Sequence, residues 1–582
     1  METLKYDLII LGSGLAGLSA AIHASTISKG KIKIAIVTKL HAMRSHSVSA
    51  EGGLSGVLYG KENNDSISLH AYDTIKGSDY LADQDAVEVL VNGAPEEIRF
   101  YDHIGVPWDK TKDNKISQRP FGGMSVPRTA FAADKTGFFL MRALYDTVLR
   151  FDNVDILHEH YATSLIMKDG KFNGMFTIDL SSGEKKLLLG NAAIISTGGA
   201  SRAYKLTTTA YSSTGDGIAL AYRAGLPLKD MEFVQFHPTA LVPTGVLITE
   251  AARGEGGYLL NSKGERFMSK YAPSKMELAP RDIVSRAIVL EIEAGRGILH
   301  QESGMKHVLL DLTHLDHKKI SEKLPMIKEI CIKTLGLDPD YDPIPVRPAA
   351  HFTMGGIHSN IKGQIMSSAQ GDPVANLWTA GECGCVSVHG ANRLGSNSLS
   401  QCSVWGRITG IGAATYLMGK NINSYDEAFS VKFAEKEEKR INGLIESNGR
   451  NNPYDIREEM QETMDSYVHV YRERKGMIKA QKRLEELQKS FKDIYVEDKN
   501  TVYNTNLRDV LEIGNLLDLS QVIVAGAAVR NESRGAHALR ENPNRDDKNW
   551  LKHTIAMNIN GKIQLSYSKV KITKWQPEAR KY

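Results

Sequence analysis

The first apolar run, Leu8-Ile9-Ile10-Leu11 within Tyr6 to Leu11, is continuous rather than alternating, as expected of a strand buried on both faces. It leads straight into Gly12-Ser13-Gly14-Leu15-Ala16-Gly17. Leu15 to Ser25, rich in alanine and leucine, reads as the helix that follows, and Lys31 to Val37 as a second strand. The result is a βαβ unit whose glycines suit chain reversal, close backbone approach to a pyrophosphate, and tight helix-to-strand packing. The helix amino terminus offers amide hydrogens and a partial positive charge to the phosphates. An acidic residue usually ends the second strand to bind the ribose; Thr38-Lys39 stand there instead, which weakens an NAD reading.

Two further strand-then-glycine units, Ala192 to Ser196 before Thr197-Gly198-Gly199 and Leu377 to Gly381 before Glu382, read as returns to the same sheet. Between them residues 231–351 carry their own pattern and imply an inserted cap, so an active site is expected at the seam. Beyond about residue 418 the chain turns charged and helical. Ile456, Met460, Met464, Tyr467, Val468 and Tyr471 recur at helical spacing, as do Met477, Ala480, Leu484, Leu487, Phe491 and Ile494. Pro453 suits the start of the first helix and Gly476 a break between the two. The run Lys432 to Arg440 reads as a solvated helix face. The expected organisation is 1–230 with 352–418, an inserted 231–351, a helical 419–530 and a terminal 531–582.

Composition changes this picture little. A chain of 582 residues with 42% hydrophobic content is long enough for several cores. Lys plus Arg number 72 against 68 Asp plus Glu, and a net charge of +4 gives no reason to invoke nucleic acid. The four cysteines, Cys331, Cys383, Cys385 and Cys402, match neither a disulfide framework nor an iron–sulfur ligand set. Cys383-Gly384-Cys385 lacks thioredoxin spacing and reads as small buried residues. No metal site, no secretory leader and no stretch approaching a membrane span of about eighteen apolar residues is expected.

The chemistry-bearing motifs are Arg44-Ser45-His46-Ser47-Val48-Ser49-Ala50-Glu51-Gly52-Gly53, Gln235-Phe236-His237-Pro238-Thr239, and Thr249-Glu250-Ala251-Ala252-Arg253-Gly254-Glu255-Gly256-Gly257. To these are added Pro280-Arg281-Asp282, Ala350-His351-Phe352-Thr353-Met354-Gly355-Gly356, and His389-Gly390-Ala391-Asn392-Arg393-Leu394-Gly395-Ser396-Asn397-Ser398-Leu399. With Glu532 to His537 and Arg545-Asp546-Asp547 near the end, the chain resembles the flavoprotein subunit of succinate dehydrogenase and quinol:fumarate reductase nearly end to end. The Thr38-Lys39 pair agrees with that family.

The resemblance implies an α/β protein: a Rossmann-like FAD-binding domain with an inserted α+β capping domain, a helical bundle and a small C-terminal domain. It implies FAD bound covalently through His46. Gly12, Ser13, Gly14, Ala16, Gly17, Thr38, Lys39, Ser47, Ala50, Glu51, Gly52, Gly53, Asp216, Glu382, Arg393, Ser398 and Leu399 would lie around the cofactor. It places one substrate carboxylate on His351 and Arg393 and the other on His237 and Thr249, where a guanidinium fork matches carboxylate oxygens. It assigns the proton to Arg281, relayed through Glu250 and Arg253. That role strains the rule that a guanidinium rarely deprotonates.

With no cysteine set for a cluster, an iron–sulfur subunit is implied, then a membrane anchor with a quinone, at the cytoplasmic side of the membrane. L-Aspartate oxidase shares much of the pattern but binds its flavin without a covalent bond, and His46 in its Arg-Ser-His setting argues against it. A non-catalytic flavin-binding electron-transfer subunit would have no reason to keep His237, Thr249, Arg281, His351 and Arg393.

Overall fold

The computed structural model describes residues 1–419 and 425–580. Residues 420–424, at the start of the expected helical segment, and 581–582 lie outside the described residues. Glu2–Leu11 is the middle of an eight-stranded sheet, parallel to Ile34–Thr38 on one side and Lys185–Ile195 on the other. Val154–His158 and Pro373–Thr379 extend the parallel set outward. The hairpin His160–Lys168 and Lys171–Asp179, and the strand Gln364–Met366, complete it antiparallel. Leu8, Ile9 and Ile10 are fully buried, as a continuous apolar run requires. The chain leaves the first strand to one side and places its later strands on the other. The carboxyl end of Glu2–Leu11 is therefore a topological switch point, where open α/β sheets bind ligands.

The Leu15–Ser28 helix packs along Asn397–Met418. Small residues set the closeness of that crossing: a Cβ on Gly410 would lie 2.3 Å from the Ala20 carbonyl oxygen. This packing brings two helix amino termini to the switch point. Val234–Leu241, Ile344–Thr353, Lys306–Asp311 and Tyr258–Leu260 form a separate antiparallel sheet, with the Arg281–Glu291 helix against its first strand. The hairpin Lys552–Ile559 and Lys562–Lys569 joins Leu228–Lys229 and Gly356–His358 in a third sheet. The terminal hairpin thus pairs with chain just before the cap segment, which pairs in turn with chain just after it.

The helices Pro453–Tyr467, Arg474–Ser490 and Thr505–Val529 pack together, and Met460, Met464, Met477 and Leu484 are core residues. Three sequence expectations need correction. The break between the first two helices is not at Gly476, which sits in the first turn of Arg474–Ser490; the short strand Tyr471–Arg472 makes the reversal. Gly476 is small for another reason, since a Cβ there would lie 3.0 Å from the Tyr467 ring. The Lys432–Arg440 run is not wholly solvated: Glu437 is buried and accepts a 2.6 Å hydrogen bond from Thr163. Finally, Thr505–Val529 is long and apolar enough to span a membrane, with mean hydropathy 1.4 over its apolar window. That window is 78% buried inside the fold, which marks a core helix.

One buried cluster ties the terminal hairpin down. His553, without exposure, holds Asp230 through Nδ1 at 2.6 Å and Asp83 through Nε2 at 3.1 Å, and Lys229 reaches Asp83 at 3.2 Å. Burial alone would lower the imidazole pKa, but the two carboxylates outweigh it and hold it above the ordinary histidine value. A raised folded-state pKa contributes stability that is fully present below about pH 6.5 and lost as pH rises through the folded value. Wild-type melting temperature should therefore fall more steeply from pH 6 to pH 9 than that of His553→Gln, in thermal melts across that range. Parallel curves would remove His553 from the pH dependence.

Candidate active site

A cleft opens at the switch point and encloses about 1570 Å³ of empty space, its mouth included. Its lining runs from the Gly12-Ser13-Gly14 turn to His237, Arg281, His351 and Arg393, an extent that suits a long cofactor with a small substrate beside it. Gly12, Ser13, Gly14 and Ala16 form one end. Gly12 has φ +108°, and a Cβ there would lie 2.3 Å from the Ser196 carbonyl oxygen. A Cβ on Gly17 would lie 2.0 Å from Gly12 O, so Gly17 does not border the cleft but lets the turn close on the helix. No side chain caps the Leu15–Ser28 helix and no acid lies in its first turn, leaving its amide hydrogens and dipole to an anion. This cradle fits a pyrophosphate.

Ser13 Oγ donates to Thr38 Oγ1 at 2.7 Å, fixing the end of the second strand against the turn. Lys39 and Asp216 both border the cleft, yet they are paired with each other at 2.7 Å, and Glu512 of the Thr505–Val529 helix takes Lys39 as well at 2.5 Å. Burial would neutralise this lysine, but the two carboxylates keep its pKa raised. Glu382 follows Pro373–Thr379 and accepts the Thr353 amide at 2.9 Å. Burial pushes its carboxyl up to about 7, against the pull of that amide and of Arg393. Burial raises Glu51 well above the carboxylate range too, and its Oε2 accepts no hydrogen bond among the described residues.

His46 begins a 3-10 turn, His46–Ser49, that borders the cleft with Ser47, Ala50, Glu51, Gly52 and Gly53. The Ala210 amide donates to its Nδ1 at 3.2 Å. Burial first, then the charges of Arg202 and Arg393, push the imidazole pKa down to about 4. His46 is thus neutral at physiological pH, with Nδ1 engaged as acceptor and the proton on Nε2.

The other end collects the cationic and imidazole groups. His237, Thr249, Glu250, Arg281, His351 and Arg393 all border the cleft. The His237 and His351 rings are 5.0 Å apart between centroids. Both are held far below the ordinary histidine pKa, chiefly by burial and then by Arg281. The Thr239 amide donates to His237 Nδ1 at 3.3 Å, so Nε2 carries the proton; it is buried without a partner. Thr208 Oγ1 lies 2.6 Å from His351 Nδ1. Thr249 caps the short helix Glu250–Gly254.

Arg393 stacks 4.8 Å from the Phe352 ring centroid and reaches Ser398 Oγ at 3.2 Å, while its Nε is buried and unpartnered. Arg281 Nε donates to Glu250 Oε2 at 2.7 Å, and Glu250 Oε1 accepts the Gly122 amide at 2.5 Å. Burial would raise the Glu250 carboxyl, but Arg281 and Arg253 outweigh it and hold it low. Arg253 does not border the cleft. It lies behind Glu250, its Nη2 3.8 Å from Oε2, and donates to the Glu277 carbonyl; its buried Nε and Nη2 make no hydrogen bond among the described residues.

Ser396 and Ser398-Leu399 bring the amino terminus of Asn397–Met418 to the cleft; Ser396 has φ +62° and a buried hydroxyl without a partner. Sequence reasoning left out several lining residues, among them Phe121, Tyr161, Ser196 and Cys402. Ser196 was legible from its place between strand and glycines. Phe121 and Tyr161 enter from a loop and a hairpin with no local signature. Cys383 and Cys385 are buried, and burial pushes the Cys385 thiol to about 12, so neither thiol is reactive.

A family model described as FAD binding domain matches residues 7–399, and one described as fumarate reductase flavoprotein C-term matches residues 457–582. The succinate dehydrogenase flavoprotein subunit of Rickettsia bellii (strain RML369-C) is 42% identical over 588 residues, covering 99% of this chain and 97% of its own length. The fumarate reductase flavoprotein subunit of Mycobacterium tuberculosis (strain CDC 1551 / Oshkosh) is 41% identical over 593 residues, covering 100% of both. A solved quinol-fumarate reductase with menaquinol molecules has a chain that superposes with a TM-score of 0.94 at 39% identity, covering 99% of this chain and 100% of that one. Alike in fold and in sequence from end to end, the chain belongs to the family of succinate dehydrogenase and fumarate reductase flavoprotein subunits and carries that family's FAD-binding domain.

Proposed function

We propose that this chain interconverts succinate and fumarate and exchanges the electrons with partner subunits. The observation that carries the reading is the convergence of donors at one end of the cleft: His237 Nε2 and Arg393 Nε are buried and make no hydrogen bond among the described residues, with Arg281 and Thr249 beside them. Burying unpaired donors is costly unless a ligand takes them up. A small dicarboxylate does so at both ends, with one carboxylate on His351 and Arg393 and the other on His237 and Thr249. The neutral histidines donate hydrogen bonds without needing a proton from solvent, and the arginine supplies the charge.

Residues 1–230 with 352–418 form the cofactor side of the site, and 231–351 the cap that brings Thr249, Glu250 and Arg281 over it. Bound FAD supplies hydride transfer at its N5. Arg281 moves the proton to or from the other central carbon, with Glu250 and Arg253 behind it. Gly12, Gly14 and the two helix amino termini would hold the phosphates and the flavin edge. His46 Nε2, left over once Nδ1 accepts from Ala210, is the atom that would hold the flavin covalently. The electrons pass to or from an iron–sulfur subunit and a quinone-binding membrane anchor, which hold the chain at the cytoplasmic face. The relative solved with menaquinol molecules supports a quinone as the far partner.

The test is on the holoprotein: precipitate with acid, digest, and look for flavin fluorescence on the peptide containing His46. Flavin on that peptide is expected, with His46→Ser binding flavin only noncovalently and losing succinate oxidation more than fumarate reduction. Acid-resistant flavin retained in His46→Ser would sink the assignment.

A further inference from the structure

Gln235 is buried, 1% exposed, on the strand Val234–Leu241, and the register with Ile344–Thr353 shifts between Gln235 and Phe236. Such an irregularity re-aims the side chain on either side of it. The Gln235 amide then makes three bonds. Its Oε1 accepts from Arg281 Nη1 at 3.1 Å, and its Nε2 donates to Asn392 Oδ1 at 2.9 Å and to the Arg393 carbonyl oxygen at 2.7 Å. The orientation of the amide is forced: a guanidinium only donates and a backbone carbonyl only accepts, so the oxygen must face Arg281 and the nitrogen Arg393.

Asn392 is fixed in turn by donating to the Gly77 carbonyl at 2.9 Å. Arg281 is therefore gripped at two nitrogens, Nε by Glu250 and Nη1 by Gln235, with no partner for Nη2 among the described residues. Of these two grips, only Gln235 also bonds the His389–Leu399 segment that carries Arg393.

We infer that Gln235 is a positioning residue that sets the orientation of Arg281 from the backbone of Arg393, so that the proton carrier and the carboxylate clamp are aligned by one amide. The inference rests on the reading of Arg281 as proton carrier. It explains why a neutral amide stands here. A carboxylate would face the Arg393 and Asn392 oxygens without a proton to offer them, and would add a second anion to Arg281.

The test compares Gln235→Met and Arg281→Lys with wild type in the full holoprotein. The readouts are kcat for fumarate reduction, its pH profile, and the dissociation constant of malonate from its perturbation of the flavin spectrum. Gln235→Met is expected to lose about 100-fold in kcat, the scale of a misplaced reacting group, with a displaced pH profile and unchanged malonate affinity. Wild-type kcat in Gln235→Met beside an inactive Arg281→Lys overturns the inference alone. An active Arg281→Lys overturns the reading beneath it. Equal losses of kcat, malonate affinity and melting temperature would reduce Gln235 to a structural residue and also overturn the inference. Should Gln235→Met fail to fold, Asn392→Ser removes one of the two acceptors beyond it. A lowered kcat with unchanged malonate affinity is then expected, and an unchanged kcat counts against the role.

Discussion

Arg281→Lys should bind a dicarboxylate nearly as well as wild type and turn over about 1,000-fold more slowly, within the range that general acid catalysis contributes. The expectation follows from what each nitrogen of Arg281 does. Nε is committed to Glu250 and Nη1 to Gln235, two anchors that approach from different directions. A guanidinium satisfies both and still has Nη2 for the substrate carbon, because its donors form a rigid planar fork. An ammonium has one nitrogen at the end of a flexible stem and must choose. If it pairs with Glu250, as charge favours, it is withdrawn from the substrate and Gln235 Oε1 is left unpaired. The carboxylate clamp of His237, Thr249, His351 and Arg393 stays in place, so affinity survives while kcat falls. Steady-state fumarate reduction together with a malonate titration separates the two. Near-normal kcat would remove Arg281 from the proton path, and a parallel loss of affinity would make it part of the clamp.

Legibility in the sequence followed how local each cause is. The glycines of the first turn were readable because their reason is local: Gly12 needs a positive φ and Gly17 meets the Gly12 carbonyl within one turn of helix. That Ala192–Ser196 and Leu377–Gly381 return to the sheet of the first strand was readable, since each runs into glycines as the first strand does; the order of strands was not. What could not be read depends on side chains that meet from distant segments. Gln235 sits in a motif that drew notice to His237, and only the folded structure shows that its amide reaches Asn392 and Arg393. Lys39 and Asp216 were both assigned to the cofactor, and nothing local reveals that they pair with each other or that Lys39 also takes Glu512, almost five hundred residues further on. Arg253, four residues after Thr249, carries the same signal as its neighbours yet stands behind Glu250 rather than on the cleft.

Glu532→Ala is expected to cost about 3–5 kcal/mol of folding stability, the scale of breaking a buried ion pair from one side. Glu532 has no exposure and joins two arginines that have none either. Its Oε1 accepts from Arg530 Nη1 at 3.0 Å and Arg534 Nε at 2.8 Å, and its Oε2 from Arg534 Nη2 at 3.0 Å and the Asp546 amide at 2.8 Å. Alanine leaves each guanidinium one carboxylate, Glu232 for Arg530 and Asp547 for Arg534, with neutral acceptors beside it: the Trp550 and Lys552 carbonyls and Thr554 Oγ1 for Arg530, and the Asp79 carbonyl for Arg534. A buried cation stripped of a partner loses its attraction while its desolvation cost stays. The damage should reach the active site, because Arg534 and the Gly535 amide hold Asp79, and the Gly535 carbonyl accepts from Arg286 on the helix that begins with Arg281. Glu532→Gln, which keeps one of the two acceptor oxygens and the side-chain volume, should cost less than alanine. Urea unfolding of the three proteins measures the order. Equal midpoints for wild type and Glu532→Ala would show that the arginines are satisfied without the carboxylate, and that the terminal motif is held to the cofactor side by its backbone pairing instead.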